Sequence, residues 1–102
     1  MSIAQDNDLF RSTMIRTPNR KVVLTQAVAE SPSREEIITA VRNYNSFNES
    51  NDPYGEHDFG SFKVGNTKYF FKIDYYDQNW DLGGDPNGVH SKLLTIMEAD
   101  EY

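Results

Sequence analysis

Apolar residues recur along this chain with two different periods, and the change of period divides it into helices and strands. In residues 3–15, Ile3, Phe10 and Met14 are spaced by seven and four, one thin stripe on a short helix. Asp6 and Asp8 sit in its early turns, where the helix dipole favours negative charge. Pro18 and Asn19 interrupt the pattern. Residues 21–26 (KVVLTQ) are rich in β-branched side chains and short, which predicts a strand. SPSREE at 31–36 signals a helix start, with Ser31 as cap and Pro32 at the first helical position, or with Ser33 in a capping box with Glu36. Beyond it, Ile37, Ile38, Val41, Tyr44 and Asn45 follow the helical repeat, and four of these five are apolar. The helix is expected to fade near residues 47–48, and Asn51-Asp52-Pro53-Tyr54-Gly55 reads as a turn.

From residue 59 onward the period drops to two. Phe59–Val64 and Thr67–Tyr76 flank Gly65-Asn66, and glycine first in a two-residue loop suits a type II′ hairpin. With Val64 facing Thr67, Phe62 faces Tyr69 and Gly60 faces Phe71. Val64, Phe62, Tyr69, Phe71, Ile73 and Tyr75 then share a core face, while Lys63, Lys68, Phe70, Lys72 and Asp74 share the other. Residues 76–91 form a long polar, Gly-rich connection of the kind associated with function or mobility. Residues 92–98 (KLLTIME) close the pattern as a strand. The expectation is one α+β domain over residues 1–102, with two helices packed on one face of a small antiparallel sheet built around the 59–76 hairpin. Ile37, Val41 and Tyr44 are expected to oppose Phe62, Phe71 and Ile73.

Composition narrows the function classes. The chain has 102 residues with 37% hydrophobic and 13% aromatic content, enough ring area to support a small core despite modest hydrophobicity. Zero cysteines remove disulfides, thiolate chemistry and Cys-based zinc sites. The first ten residues, MSIAQDNDLF, lack the basic start and apolar core of a signal peptide, and no apolar run approaches a membrane span. A cytoplasmic location is expected. The net charge of −6 is unevenly held: residues 1–50 have six basic and six acidic side chains, whereas residues 51–102 have four and ten. An acidic chain is a poor direct ligand for nucleic acid, because neutralising phosphates needs Lys and Arg.

Five segments resemble one bacterial family. NDPYGEHDFGSF (51–62), KIDYYD (72–77), LTIMEADEY (94–102), VVLTQAV (22–28) and AVRNYNSF (40–47) are similar to the DUF3768 family of small proteins of unknown function, over roughly residues 9–102. The chain departs from the pattern at Gly83-Gly84-Asp85 and Lys92-Leu93, where the resemblance implies a Ser-containing loop and an Arg-Val pair. It implies company with plasmid and other mobile genes, and brings no activity, substrate or catalytic residue with it.

Candidate chemistry gathers in the second half. Extending the hairpin register places His57 opposite Asp74 and Phe59 against Lys72. Glu56, His57, Asp74 and Lys72 are therefore the candidate catalytic set, since a carboxylate beside a histidine orients its ring and favours its charged form. The commoner use of such a pair is to pin register. His57 and His90 show no metal-ligand spacing, and residues 77–88 miss the turn glycine and bidentate glutamate of a calcium loop, so no metal and no cofactor are expected. The motifs of serine hydrolases, P-loop enzymes and dinucleotide binders are absent. Phe70, Tyr76 and Trp80 leave the core alternation and, with Asp77, Asp81 and Asp85, form a candidate binding surface. The leading expectation is a non-catalytic binding module for a protein with a basic surface: a mobile-element accessory or anti-defence protein resembling a nucleic-acid mimic. It would act through residues 51–102 without direct nucleic-acid or membrane contact. The alternatives are a small hydrolase or metal-assisted enzyme using His57, Asp74 and Glu56, and a homodimer formed through a strand edge or Trp80.

Overall fold

Helix α1 starts and stops for local reasons. The computed structural model describes residues 1–81, 83–85, 88 and 90–102. Helix α1 (Ile3–Thr13) begins with a reciprocal cap: the Ser2 hydroxyl accepts the Gln5 N–H at 3.1 Å, and the Gln5 side chain accepts the Ser2 N–H at 2.8 Å. It ends short of residue 15 because Met14 turns left-handed at φ 50° and donates its N–H to the Phe10 carbonyl. Strand β1 (Arg20–Leu24) stops before Gln26, since Thr25 opens a single helical turn, α2 (Gln26–Ala29), that strand-like composition concealed.

Helix α3 (Arg34–Arg42) lacks the expected capping box. Ser33 makes no side-chain cap bond, and the Ser31 hydroxyl accepts the Ser33 N–H instead. The helix ends at Arg42 rather than near 47. At its end, Arg11 of α1 donates Nε to the Val41 carbonyl and a terminal nitrogen to the Tyr44 carbonyl, both at 2.9 Å. A side chain distant in sequence thus satisfies carbonyls that further helical turns would otherwise have used.

Strands β2 (Phe59–Val64), β3 (Thr67–Tyr76) and β4 (Ser91–Glu98) join β1 in one sheet of order β1-β4-β3-β2. Val64 pairs with Thr67 and Phe59 with Lys72, while Tyr69 pairs with Glu98 and Tyr76 with Ser91. Gly65 takes φ 61° and Asn66 stays at negative φ, as a type II′ turn requires. The sheet is mixed, which corrects the antiparallel expectation. β1 runs parallel to β4, Arg20 beside Lys92 and Leu24 beside Ile96. The cause is topological: α2 and α3 carry the chain from the β1 edge to the β2 edge, so no hairpin reverses β1 against its neighbour.

Helices and sheet meet over one buried cluster. Phe10, Val28, Ile37 and Val41 from the three helices pack with Tyr69, Phe71, Ile73, Leu94 and Ile96 from β3 and β4, and Tyr44, Phe47, Phe62 and Tyr75 close its margin. On the opposite sheet face, the rings of Phe59, Phe70 and Tyr102 contact one another and Met97 is buried, while Val23 remains 45% exposed. No described helix is long and apolar enough to cross a membrane.

Gly60 is the tightest point of this packing. A Cβ there would overlap the Phe71 ring and stand 2.7 Å from Tyr44 Cε1. Gly60→Ala is expected to cost about 2 kcal/mol, read as a lower denaturant midpoint with unchanged slope, because the fully buried Phe71 ring must shift to admit the methyl group. An unchanged midpoint would contradict this packing.

Candidate functional site

The helix side of the sheet hides a chain of polar side chains. Lys92, 1% exposed on β4, projects under α1, where its ammonium meets Asp6 Oδ2 at 2.6 Å and Asn7 Oδ1 at 2.5 Å. The Asn7 amide donates to the Tyr75 hydroxyl at 2.8 Å and the Glu56 carbonyl at 2.9 Å, so this fully buried amide has its donors and acceptor engaged. Tyr75 in turn donates to Asp58 at 3.3 Å. Asp6 also receives Arg20 on both oxygens, at 3.0 and 2.8 Å.

The electrostatics follow from burial and partners. Burial raises the Asp6 carboxyl, but the Arg20 and Lys92 bonds outweigh it and hold the group below its usual range. Burial pushes the Lys92 ammonium down, with Asp6 opposing. It pushes Asp58 up despite the Tyr75 bond, and Asp52 and Asp74 add repulsion. Glu56 rises through burial and through the nearby Asp58 and Asp52. Burial also drives the Tyr75 phenol above its ordinary value, so it stays a neutral donor.

His57 sits at the margin of this seam. It adopts a left-handed φ of 56°, stacks on Phe47 at 4.0 Å between ring centroids, and engages the two Asp8 oxygens through Nδ1 at 2.9 and 3.0 Å. Nε2 lies 3.6 Å from Asp52, whose carboxylate accepts the backbone N–H groups of Glu56 and His57. Asp8 is also paired with Arg11, whose guanidinium lies 5.2 Å from both the Phe47 and Phe71 ring centres. An open depression of about 460 Å³ adjoins this histidine, lined by Phe47, Asp52, Pro53 and Tyr54 among others.

The expected His57–Asp74 pair is therefore not formed. Ladder pairing begins at Phe59, and the left-handed turn at His57 sends its ring to Asp8 on the helix side. Asp74 pairs with Leu93 in register and forms an ion pair with Lys72 at 3.1 Å, on the other sheet face. The sheet thus separates His57 from Lys72 and Asp74, while Glu56 contributes its carbonyl to the buried seam. Among the described residues, no group of three or more His, Cys, Asp or Glu side chains is placed to hold a metal.

The second candidate surface also divides. Phe70 packs with Phe59 and Tyr102, whereas Tyr76 lies against Trp80 at 5.7 Å. Trp80 is a clasp: its indole N–H donates to the Pro18 carbonyl and the Lys21 ammonium lies 4.2 Å from its ring centre. Asp77 accepts the N–H groups of Asn79 and Asp81, which closes the turn between them. Asp81 and Asp85 are exposed. Of the 76–91 connection and the calcium-loop comparison made on it, Leu82, Pro86, Asn87 and Val89 lie outside the described residues.

Asp6, Asn7, Asp8 and Arg11 carry much of this polar architecture; the sequence marked Asp6 and Asp8 only as partners of the helix dipole, and Asn7 and Arg11 not at all. The available signal was an amphipathic stripe too thin to explain the polar residues beside Phe10. A family model described as "Protein of unknown function (DUF3768)" matches residues 24–101. Comparison with curated proteins and with solved structures found no match.

Asp6→Asn is expected to lower stability by about 3 kcal/mol near neutral pH, because it strips the buried Lys92 ammonium of its counter-charge. The Asp6 carboxyl titrates below its ordinary 3.8 in the folded chain, so its contribution is full above that value and is lost as pH falls through the folded pKa. Denaturant titrations of both chains from pH 7 to pH 2 should show the penalty of Asp6→Asn shrinking below about pH 4. A penalty constant across that range would contradict the assignment.

Proposed function

We propose that this chain, which belongs to the DUF3768 family, is a small acidic, non-catalytic binding module that engages a basic protein surface through residues 51–102. The observation that carries this reading is the placement of charge. The whole excess of −6 belongs to residues 51–102, and Asp81, Asp85, Asp100 and Glu101 are exposed there. Asp81 and Asp85 follow β3 at one end of the sheet and Asp100 and Glu101 follow β4 at the other; exposed carboxylates steer and select a cationic partner, as phosphates do, which is the physical content of an accessory or anti-defence role by nucleic-acid mimicry. Tyr76 and Trp80 beside the Asp81 turn supply amphipathic contact area at such a surface.

The hydrolytic alternative retains one favourable observation, a histidine oriented by Asp8 beside the 47–57 depression. It loses Asp74 as the partner of His57, and no group of three or more metal-ligating side chains stands there among the described residues.

Immobilised chain exposed to host extract is expected to retain basic proteins that elute as ionic strength rises through roughly 0.3 M, where screening shortens to a few ångströms. Asp81→Asn with Asp85→Asn should weaken that retention several-fold, whereas His57→Gln should leave it intact. Asp77 is left in place because it closes the turn. Retention unchanged by the double substitution, or abolished in a folded His57→Gln chain, would overturn the proposal.

A further inference from the structure

We infer that the free edge of β2 is a docking site for an extended, acidic segment of a partner protein, separate from the acidic surface above. The Asp58 backbone carbonyl accepts the Ile73 N–H at 2.8 Å, which sets the ladder phase. Residues 60, 62 and 64 therefore turn their backbone groups toward β3, and Phe59, Ser61 and Lys63 turn theirs outward. Among the described residues, no backbone or side-chain bond takes up those outward groups. The other sheet edge differs: β1 has five residues, and Arg20 exchanges both backbone bonds with Thr17 at 3.1 Å.

The β2 edge has a six-residue strand without proline or bulge, so it can accept another strand. Charge selects the occupant. Lys63 lies directly opposite Lys68 in register, both are exposed, and neither forms an ion pair among the described residues. Like charges facing each other across a ladder are unfavourable until something negative joins them. Lys68 lies over the Phe70 ring, at 5.4 Å. A second copy of the chain is a poor occupant, since pairing two β2 edges would bring another Lys63–Lys68 couple onto the same surface. A strand with Asp or Glu opposite Lys63 instead relieves the repulsion and gains the backbone bonds of Ser61 and Lys63. This concentration of lysines is notable in a half-chain with only four basic residues, three of which (Lys63, Lys68 and Lys72) share this hairpin face.

The test uses the full chain and a displayed library of random dodecapeptides. Enriched peptides are expected to carry Asp or Glu at alternate positions, and to slow amide exchange at Ser61 and Lys63 when bound. Ser61→Pro removes an outward N–H without touching the β2–β3 ladder, a position where a strand tolerates proline. It should weaken those peptides at least about tenfold, the loss of roughly 1.4 kcal/mol of edge bonding. Lys63→Glu with Lys68→Glu should switch the enriched sequences from acidic to basic, and it stands as an independent arm should Ser61→Pro fail to fold. No enrichment, peptides without acidic alternation, binding indifferent to both variants, or a wild-type dimer dispersed by Ser61→Pro would each overturn the inference. Loss of basic-protein retention by the Asp81 and Asp85 substitutions leaves this edge unaffected, so the two proposals fail separately.

Discussion

Lys92 brings an ammonium group into the interior of a protein of 102 residues, and the surrounding structure is organised to receive it. A buried charge is costly unless it is paired and its hydrogen bonds are met. Asp6 supplies the charge, Asn7 the second acceptor, and Arg20 a second cation that keeps Asp6 ionised. Because Asp6 and Asn7 are consecutive on α1, this requirement sets where the helix lies on the sheet. Asn7 then reaches Tyr75 and the Glu56 carbonyl, tying the same helix to β3 and to the segment entering β2. One turn later Arg11 engages the Val41 and Tyr44 carbonyls at the end of α3 and pairs with Asp8, which orients His57. A short helix with few apolar residues is thus positioned largely by polar contacts, around the single buried ring of Phe10.

That arrangement leaves functional work to the rest of the surface. The helix side is occupied by the core and the polar seam, and His57 is held there by Asp8 and stacking on Phe47. The opposite sheet face and the β2 edge hold side chains that internal structure uses less completely: the Lys63–Lys68 couple at one place, and Asp81 beside Tyr76 and Trp80 at another. The hairpin lysines and the Asp81 turn lie at opposite ends of β3. Under the proposed reading, each end would meet a partner of its own charge class.

Local signals are legible where local physics dominates. The two-residue Gly65-Asn66 loop and the alternation around it determine the β2–β3 register, because side-chain period and turn geometry leave one arrangement that buries Phe62, Tyr69 and Phe71 together. Ile37 and Val41 declare the buried face of α3 through their spacing. Features that depend on distant partners are hidden. Nothing near Lys21 announces a parallel neighbour some seventy residues away, and nothing near His57 announces Asp8. Helix α3 ends earlier than its apolar pattern suggests because the groups that satisfy its last carbonyls come from Arg11. Lys92 reads as an ordinary charged strand end because its acceptors lie on the first helix.

Buried polar bonds join α1 to the sheet as one cooperative unit, although all of α1 and all of β1 but Leu24 precede the 24–101 segment matched by the family model. Native-state hydrogen exchange across a denaturant series tests this central claim most directly. The amides of Phe10 and Arg11 are expected to exchange through the same global opening as those of Phe71 and Leu94, with matching free energies and denaturant slopes. Exchange of α1 through a separate low-energy opening, while β3 and β4 stay protected, would contradict it.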